Sequence, residues 1–97
     1  MGAQSFVVSR KKAGQTANEA FSEARSGALY DYGHRGYTGT IAEKNAIKLL
    51  PMLEGKTSEQ SAWHYLDVDH PDVREKWGPA GCIESDNEYV FFGWASA

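Results

Sequence analysis

The sequence predicts a small, single α+β domain: an antiparallel or mixed sheet of three to four strands with helices packed on one face. Three observations predict it. A β-branched and aromatic run occupies residues 4–10, helical patterns fill the middle of the chain, and two apolar runs, 81–85 and 88–95, flank a turn at its end. A length of 97 residues allows one hydrophobic core, so residues 1–97 are assigned to one domain.

The N-terminal half begins with a strand followed by a helix. Residues 4–10 read Q-S-F-V-V-S-R, which is typical of a strand. Thr16 and Glu19 stand three apart, so each can accept from a free amide at a helix start, and Thr16 is predicted to be an N-cap. Small apolar residues then recur at helical spacing through 17–28. Gly27 interrupts that stripe at a cost of about 1 kcal/mol relative to Ala, so either the helix weakens here or another backbone comes close.

The middle of the chain is predicted to contain a short strand and three helical segments. Residues 40–44 read as the strand. The apolar run 45–53 fits either a short helix or a buried strand, and a helix ending before Pro51 is favoured. A second capping box opens a helix over 57–66. Residues 69–78 are predicted to form another short helix.

The C-terminal segment is predicted to be a β-hairpin whose turn is S-D-N. Tyr89 and Phe91 would point to one face of its last strand, and Val90, Phe92 and Trp94 to the other. Neither face is polar, so this strand is expected to be central, or its outer face is covered by a partner subunit. The second alternative makes a homo-oligomer an expected assembly.

Composition excludes several classes of function. The net charge is −3 and the pI about 5.5, which argues against nonspecific nucleic-acid or membrane binding, because those partners are held by clustered Lys and Arg. Cys82 is the only cysteine, so no disulfide can form within the chain, and it is expected to be a buried, inert thiol. No stretch approaches the roughly 18 apolar residues of a membrane span. A cytoplasmic location follows by elimination.

The glycine-rich segment 33–40, G-H-R-G-Y-T-G-T, is the main candidate site. Glycines let backbone N–H groups turn toward an anion, while the neighbouring side chains supply donors and a stacking ring. It is neither a P-loop nor a dinucleotide fingerprint. The alternative is that it only connects a helix to a strand. The candidate ligand-binding residues are His34, Arg35, Tyr37, Thr38, Thr40, Glu43 and Lys44.

A weaker candidate is a metal site on His64, Asp67 and His70. Imidazole and carboxylate groups suit a divalent metal, yet the spacing matches no established zinc or calcium pattern. Asp69 and Asp72 are better explained as acidic residues favoured by a helix N-terminus. No catalytic residue can be assigned and no cofactor is predicted, so an enzyme is less favoured than a binding protein.

Three further stretches, Y-D-Y-G-H-R-G-Y-T-G-T-I-A-E-K at 30–44, K-W-G-P-A-G-C-I at 76–83 and Y-V-F-F-G-W-A-S at 89–96, resemble a family of short, uncharacterised proteins encoded by bacteriophages and prophages. That family carries no assigned activity and transfers no catalytic residue. The resemblance implies a phage accessory protein that acts in the host cytoplasm, where many such proteins work by binding.

The sequence therefore favours a non-catalytic, anti-defence binding protein that holds a small anionic or nucleotide-like ligand at the glycine-rich segment. Arg35 would pair with phosphate and Tyr37 would stack on the ligand. One alternative is an inhibitor that binds a host defence enzyme through an acidic surface with aromatic anchors. The other is a small metal-dependent hydrolase.

Overall fold

The computed structural model describes residues 3–32 and 40–96. The described chain runs strand, helix, short 3-10 helix, strand, helix, strand, strand. The elements are β1 (Ala3–Lys11), α1 (Ala17–Tyr32), the 3-10 helix (Ile41–Glu43), β2 (Ile47–Leu49), α2 (Ser58–Asp67), β3 (Ala80–Glu84) and β4 (Glu88–Ser96). This α+β composition confirms the predicted fold class.

The four strands form one mixed sheet in the order β1-β4-β3-β2. β4 is antiparallel to β1 along all nine residues of β1 and antiparallel to β3, with which it forms the predicted C-terminal hairpin. β2 is parallel to β3. The last strand is therefore central, as its two apolar faces predict.

The two helices cover opposite faces of the sheet. α1 contributes Ala20, Phe21 and Ala24 to a core that contains Phe91, and the rings of Phe21 and Phe91 lie 5.7 Å apart. α2 contributes its own buried residues to a second core, in which Tyr65 stacks on Phe92 at 5.7 Å. The expectation that the helices share one face is therefore wrong. The physical reason is that alternate residues of β4 point to opposite faces, and residues 89–92 supply large hydrophobic side chains to both.

Both helices begin at the predicted capping boxes. The Thr16 amide donates to Glu19 Oε1 at 2.8 Å, and the Glu19 amide donates to Thr16 Oγ1 at 3.2 Å. Thr57 and Gln60 make the same reciprocal pair at the start of α2. Each box satisfies two amides that would otherwise have no partner within the helix.

Three local predictions are wrong. Residues 40–44 contain a 3-10 turn instead of a strand, closed by a bond from the Lys44 amide to the Ile41 carbonyl at 2.9 Å. Residues 47–49 form β2 instead of a helix, because they can pair with β3 over Ala80–Cys82. Residues 69–78 form successive turns instead of a helix. Asp69 has a left-handed φ of 54° there, which ends the helical path.

Gly81 makes a close cross-strand contact in the second core. It pairs with Phe92, and a Cβ added to Gly81 would lie 2.3 Å from Cζ of the fully buried Phe92 ring. Gly93, on the opposite face, would place a Cβ no closer than 3.4 Å to any side-chain atom. The ring of Phe92 therefore occupies the space that a side chain at residue 81 would need.

We expect Gly81→Ala to destabilise the protein by about 1–3 kcal/mol, as overpacking of a dense core usually does. Gly93→Ala is the matched control and should change stability less, because its methyl group makes only ordinary contacts. Urea denaturation of both variants measures the difference. Equal stabilities for the two variants would contradict this packing.

Candidate functional site

The structure separates the predicted ligand-binding residues into two groups. His34, Arg35, Tyr37 and Thr38 belong to segment 33–39, which lies outside the described residues, so their role stays a prediction. Thr40, Glu43 and Lys44 are described: Glu43 is the last residue of the 3-10 helix, and Thr40 and Lys44 flank it. Thr40 is its N-cap, where the hydroxyl accepts from the Ala42 amide at 3.2 Å.

Lys44 is fully buried and holds two segments of the chain together. Its Nζ donates to the carbonyl oxygens of Glu75, Lys76 and Gly78 at 3.2, 3.1 and 3.1 Å. Those three bonds match the three N–H groups of an ammonium. The aliphatic part of the Lys44 side chain packs against the sheet beside Gly93. A Cβ added to Gly93 would lie 3.5 Å from Lys44 Cε. In this structure the Lys44 charge is engaged by backbone carbonyls of the turns that precede β3.

Burial lowers the pKa of Lys44 to about 8, and the Glu43 carboxylate opposes part of that shift. The amine is therefore mostly charged at neutral pH. A charged donor makes stronger hydrogen bonds than a neutral one, which offsets part of the cost of removing it from water.

Replacing Lys44 by Met should destabilise the fold by about 2–4 kcal/mol, because each buried acceptor left without a donor costs about 1–3 kcal/mol and the apolar side chain recovers only part of that. Lys48→Met, at an exposed lysine of β2, is the control and should have little effect. Urea denaturation measures both. A Lys44→Met protein as stable as the control would show that the three carbonyl bonds contribute nothing.

The lowered pKa also predicts a dependence of stability on pH. Between about pH 8 and pH 10 the unfolded chain holds its proton at Lys44 while the folded chain loses it, so the contribution of Lys44 to the free energy of unfolding rises with pH. Two raised pKa values act in the opposite direction: that of the Cys82 thiol, raised from 9 to about 12, from about pH 9 upward, and that of buried Tyr65 above pH 10. Both groups are also present in Lys44→Met, so the difference in stability between the wild type and Lys44→Met should grow from pH 8 to pH 10. Parallel curves for the two proteins would contradict it.

An open groove of about 380 Å³ runs between β1 and α1. Phe6 and Val8 of β1 form its floor, and Ala24, Gly27 and Ala28 of α1 form a wall. A Cβ added to Gly27 would meet no atom within 4 Å, so the missing side chain leaves space on this wall. Of the two explanations for Gly27, close approach of another backbone is therefore excluded for the described residues.

Polar side chains also line the groove. Thr40, the residue directly after segment 33–39, is one of them. Arg10 also lines the groove, and its Nη2 is 3.5 Å from the Glu23 carboxylate, with both side chains largely exposed. Such an exposed ion pair is worth little, so the guanidinium can turn to an anionic ligand at small cost.

Sequence reasoning missed Arg10 and Gly27 as site residues. Arg10 ends the predicted strand 4–10, where a basic residue gives no signal of a ligand site, and Lys12, two residues on, pairs with Glu84 at 2.6 Å. Gly27 gave a signal, since a glycine inside a helix needs a reason. To identify the groove, one must also know that α1 lies beside the edge strand β1. That depends on the strand order, which the sequence does not reveal.

The other sequence candidates do not assemble into a site. His64 and Asp67 are exposed on α2, while His70 packs its ring edge-on against Tyr65 at 5.2 Å. Among the residues that the structure describes, no three His, Cys, Asp or Glu side chains are placed to hold a metal ion. Cys82 is buried as expected, and burial raises the pKa of its thiol to about 12, which leaves it unreactive.

No helix in the described ranges is long and apolar enough to span a membrane. No known family model, curated protein sequence or solved structure matches this chain.

Proposed function

We propose that this chain is a non-catalytic binding protein that holds a small anionic or nucleotide-like ligand in the groove between β1 and α1, with help from the glycine-rich segment. The main support for this proposal is the open space between Gly27 and the floor formed by Phe6 and Val8. Thr40 also lines this space. Its volume lies toward the lower end of the range for small-molecule sites, roughly 300–1,000 Å³.

The chemistry of the lining supports this class of ligand. An apolar floor with an aromatic ring suits a base or another flat group, and Arg10 suits a phosphate or carboxylate. Arg35 and Tyr37 would add a second cation and a stacking ring. A binding role needs no nucleophile or base.

The resemblance to phage-encoded proteins leads us to propose an anti-defence role in the host cytoplasm. A protein that holds a nucleotide messenger without breaking it down lowers the free concentration of that messenger. Affinity and protein concentration alone would then determine its effect.

A second candidate function is inhibition of a host enzyme through α2. Trp63 is 45% exposed, and Glu59 and Asp67 stand one turn before and one turn after it. An exposed indole with acidic neighbours fits the anchor of an interface with a basic protein surface. If this candidate is correct, Trp63→Ala abolishes binding to the partner and leaves nucleotide binding unchanged.

Ligand binding in the groove can be tested with variants whose side chains fill it. In a thermal-shift screen with nucleotides and cyclic nucleotides, we expect at least one compound to raise the Tm of the wild type. Gly27→Phe should lose that rise, because the ring would occupy the groove. Gly27→Ala is the matched control, since it improves the helix by about 1 kcal/mol and leaves the groove mostly open. Arg35→Ala should lose the rise as well.

Equal ligand-induced shifts in the wild type, Gly27→Phe and Arg35→Ala would contradict the proposed site. The absence of a shift with every compound would count against the ligand class. Circular dichroism of each variant separates loss of binding from loss of fold.

A further inference from the structure

The outer edge of β1 is unpaired in the described structure. β1 is the first strand of the sheet, with β4 on one side and no described strand on the other. It is nine residues long. Natural edge strands are usually kept from pairing by charges, prolines or bulges. Residues 3–9 carry none of these, and charge begins only at Arg10.

The register shows which backbone groups face outward. The Lys12 amide donates to the Asn87 carbonyl at 3.0 Å, and Lys11 pairs with Glu88, so Lys12 and Asn87 form a hydrogen-bonded pair. Hydrogen-bonded pairs recur at every second residue of an antiparallel ladder. The even-numbered residues of β1 therefore bond to β4, whereas Ser5, Val7 and Ser9 direct their N–H and C=O groups away from the sheet.

The other side of β4 is consistent with this assignment. The Ser85 amide donates to the Glu88 carbonyl at 2.9 Å, and the β3 pairing continues from there with Val90 opposite Ile83. Even-numbered residues of β4 thus bond to β3. Its odd-numbered residues, which include Tyr89 opposite Arg10, are left to bond to β1.

We propose that β1 pairs with β1 of a second copy of this chain, antiparallel, across a two-fold axis at Val7. This register places Val7 opposite Val7 of the other copy and Ser5 opposite its Ser9. Those three pairs bring outward N–H and C=O groups together and make six backbone hydrogen bonds.

The side chains of β1 are complementary to themselves in this register. Phe6 lies opposite Val8 of the other copy on the α1 face, and such aromatic and β-branched cross-strand pairs stabilise a sheet. Arg10 and Lys11 lie opposite Gln4 and Ala3, so no like charges face each other. Self-complementarity favours a second copy over an unrelated strand.

The pairing would also join the two grooves. Ser5 and Val7 line the groove although Val7 packs in the core of the opposite face, so the groove extends to the outer edge of β1. A two-fold axis perpendicular to the sheet keeps both copies of α1 on the same side. The apolar floor would then run without a break from one α1 to the other.

Ser5→Pro tests the proposal without ligand. Proline at residue 5 removes an outward N–H and no bond to β4, so it should leave the monomer folded and turn the dimer into a monomer. Ser5→Thr keeps the N–H and should remain a dimer. Light scattering after size-exclusion chromatography, together with native mass spectrometry, measures the oligomeric state of the wild type and of each variant. A monomeric wild type at high micromolar concentration, or a folded Ser5→Pro that stays a dimer, would overturn the proposal.

Cross-linking tests the register and does not depend on Ser5→Pro folding. Val7→Cys should form an intermolecular disulfide under mild oxidation, because a hydrogen-bonded pair has its Cα atoms about 5.5 Å apart. Ser9→Cys should not, since its Cα would lie roughly 14 Å from that of its copy. Buried Cys82 does not interfere. Cross-linking at residue 9 without cross-linking at residue 7 would overturn the assigned axis. Failure of the nucleotide screen would leave both results unaffected.

Discussion

The structure depends on one constraint: β4 is apolar on both faces and must be covered on both. Phe91 and Phe92, adjacent in the chain, are both fully buried, one beneath α1 and the other beneath α2. Burying two such side chains stabilises the fold by several kcal/mol. If either face were left in water, the stabilisation from the Phe ring on that face would be lost. This requirement places the helices on opposite faces and β4 at the centre, with β1 at an edge.

The groove follows from how α1 meets that requirement. α1 covers its face with small residues, Ala20 and Ala24, and with one large ring, Phe21. Beyond Ala24 the stripe continues as Gly27 and Ala28, which are too small to fill the space above β1. A helix of this composition packs closely over β4 and leaves the edge strand partly open. The buried Lys44 fixes the other side of the same face, because its three carbonyl bonds hold the turns before β3 against the 3-10 helix.

Much of this fold could be predicted from local pattern. Thr16 and Thr57 are capping residues because the side chain three positions on is Glu or Gln, and the apolar alternation of β4 indicates a central strand. Other features depend on contacts distant in sequence. Residues 47–49 form a strand only because β3 offers a parallel edge. Lys44 Nζ is bonded by the carbonyls of three residues about thirty positions later in the chain, Glu75, Lys76 and Gly78. For the same reason the sequence pointed to the Lys44 region and could not reveal that its amine is buried, nor that Arg10 and Gly27 line one groove.

The proposed function requires that the space between β1 and α1 is open and receives the ligand. A nuclear magnetic resonance titration of ¹⁵N-labelled protein with a nucleoside monophosphate tests it most directly. If the ligand binds in this groove, the amide signals of Val8, Gly27, Ala28 and Thr40 shift together and saturably, while those of the exposed side of α2 do not shift. Saturable shifts confined to α2 around Trp63, with the Gly27 and Thr40 amides unmoved, would contradict it.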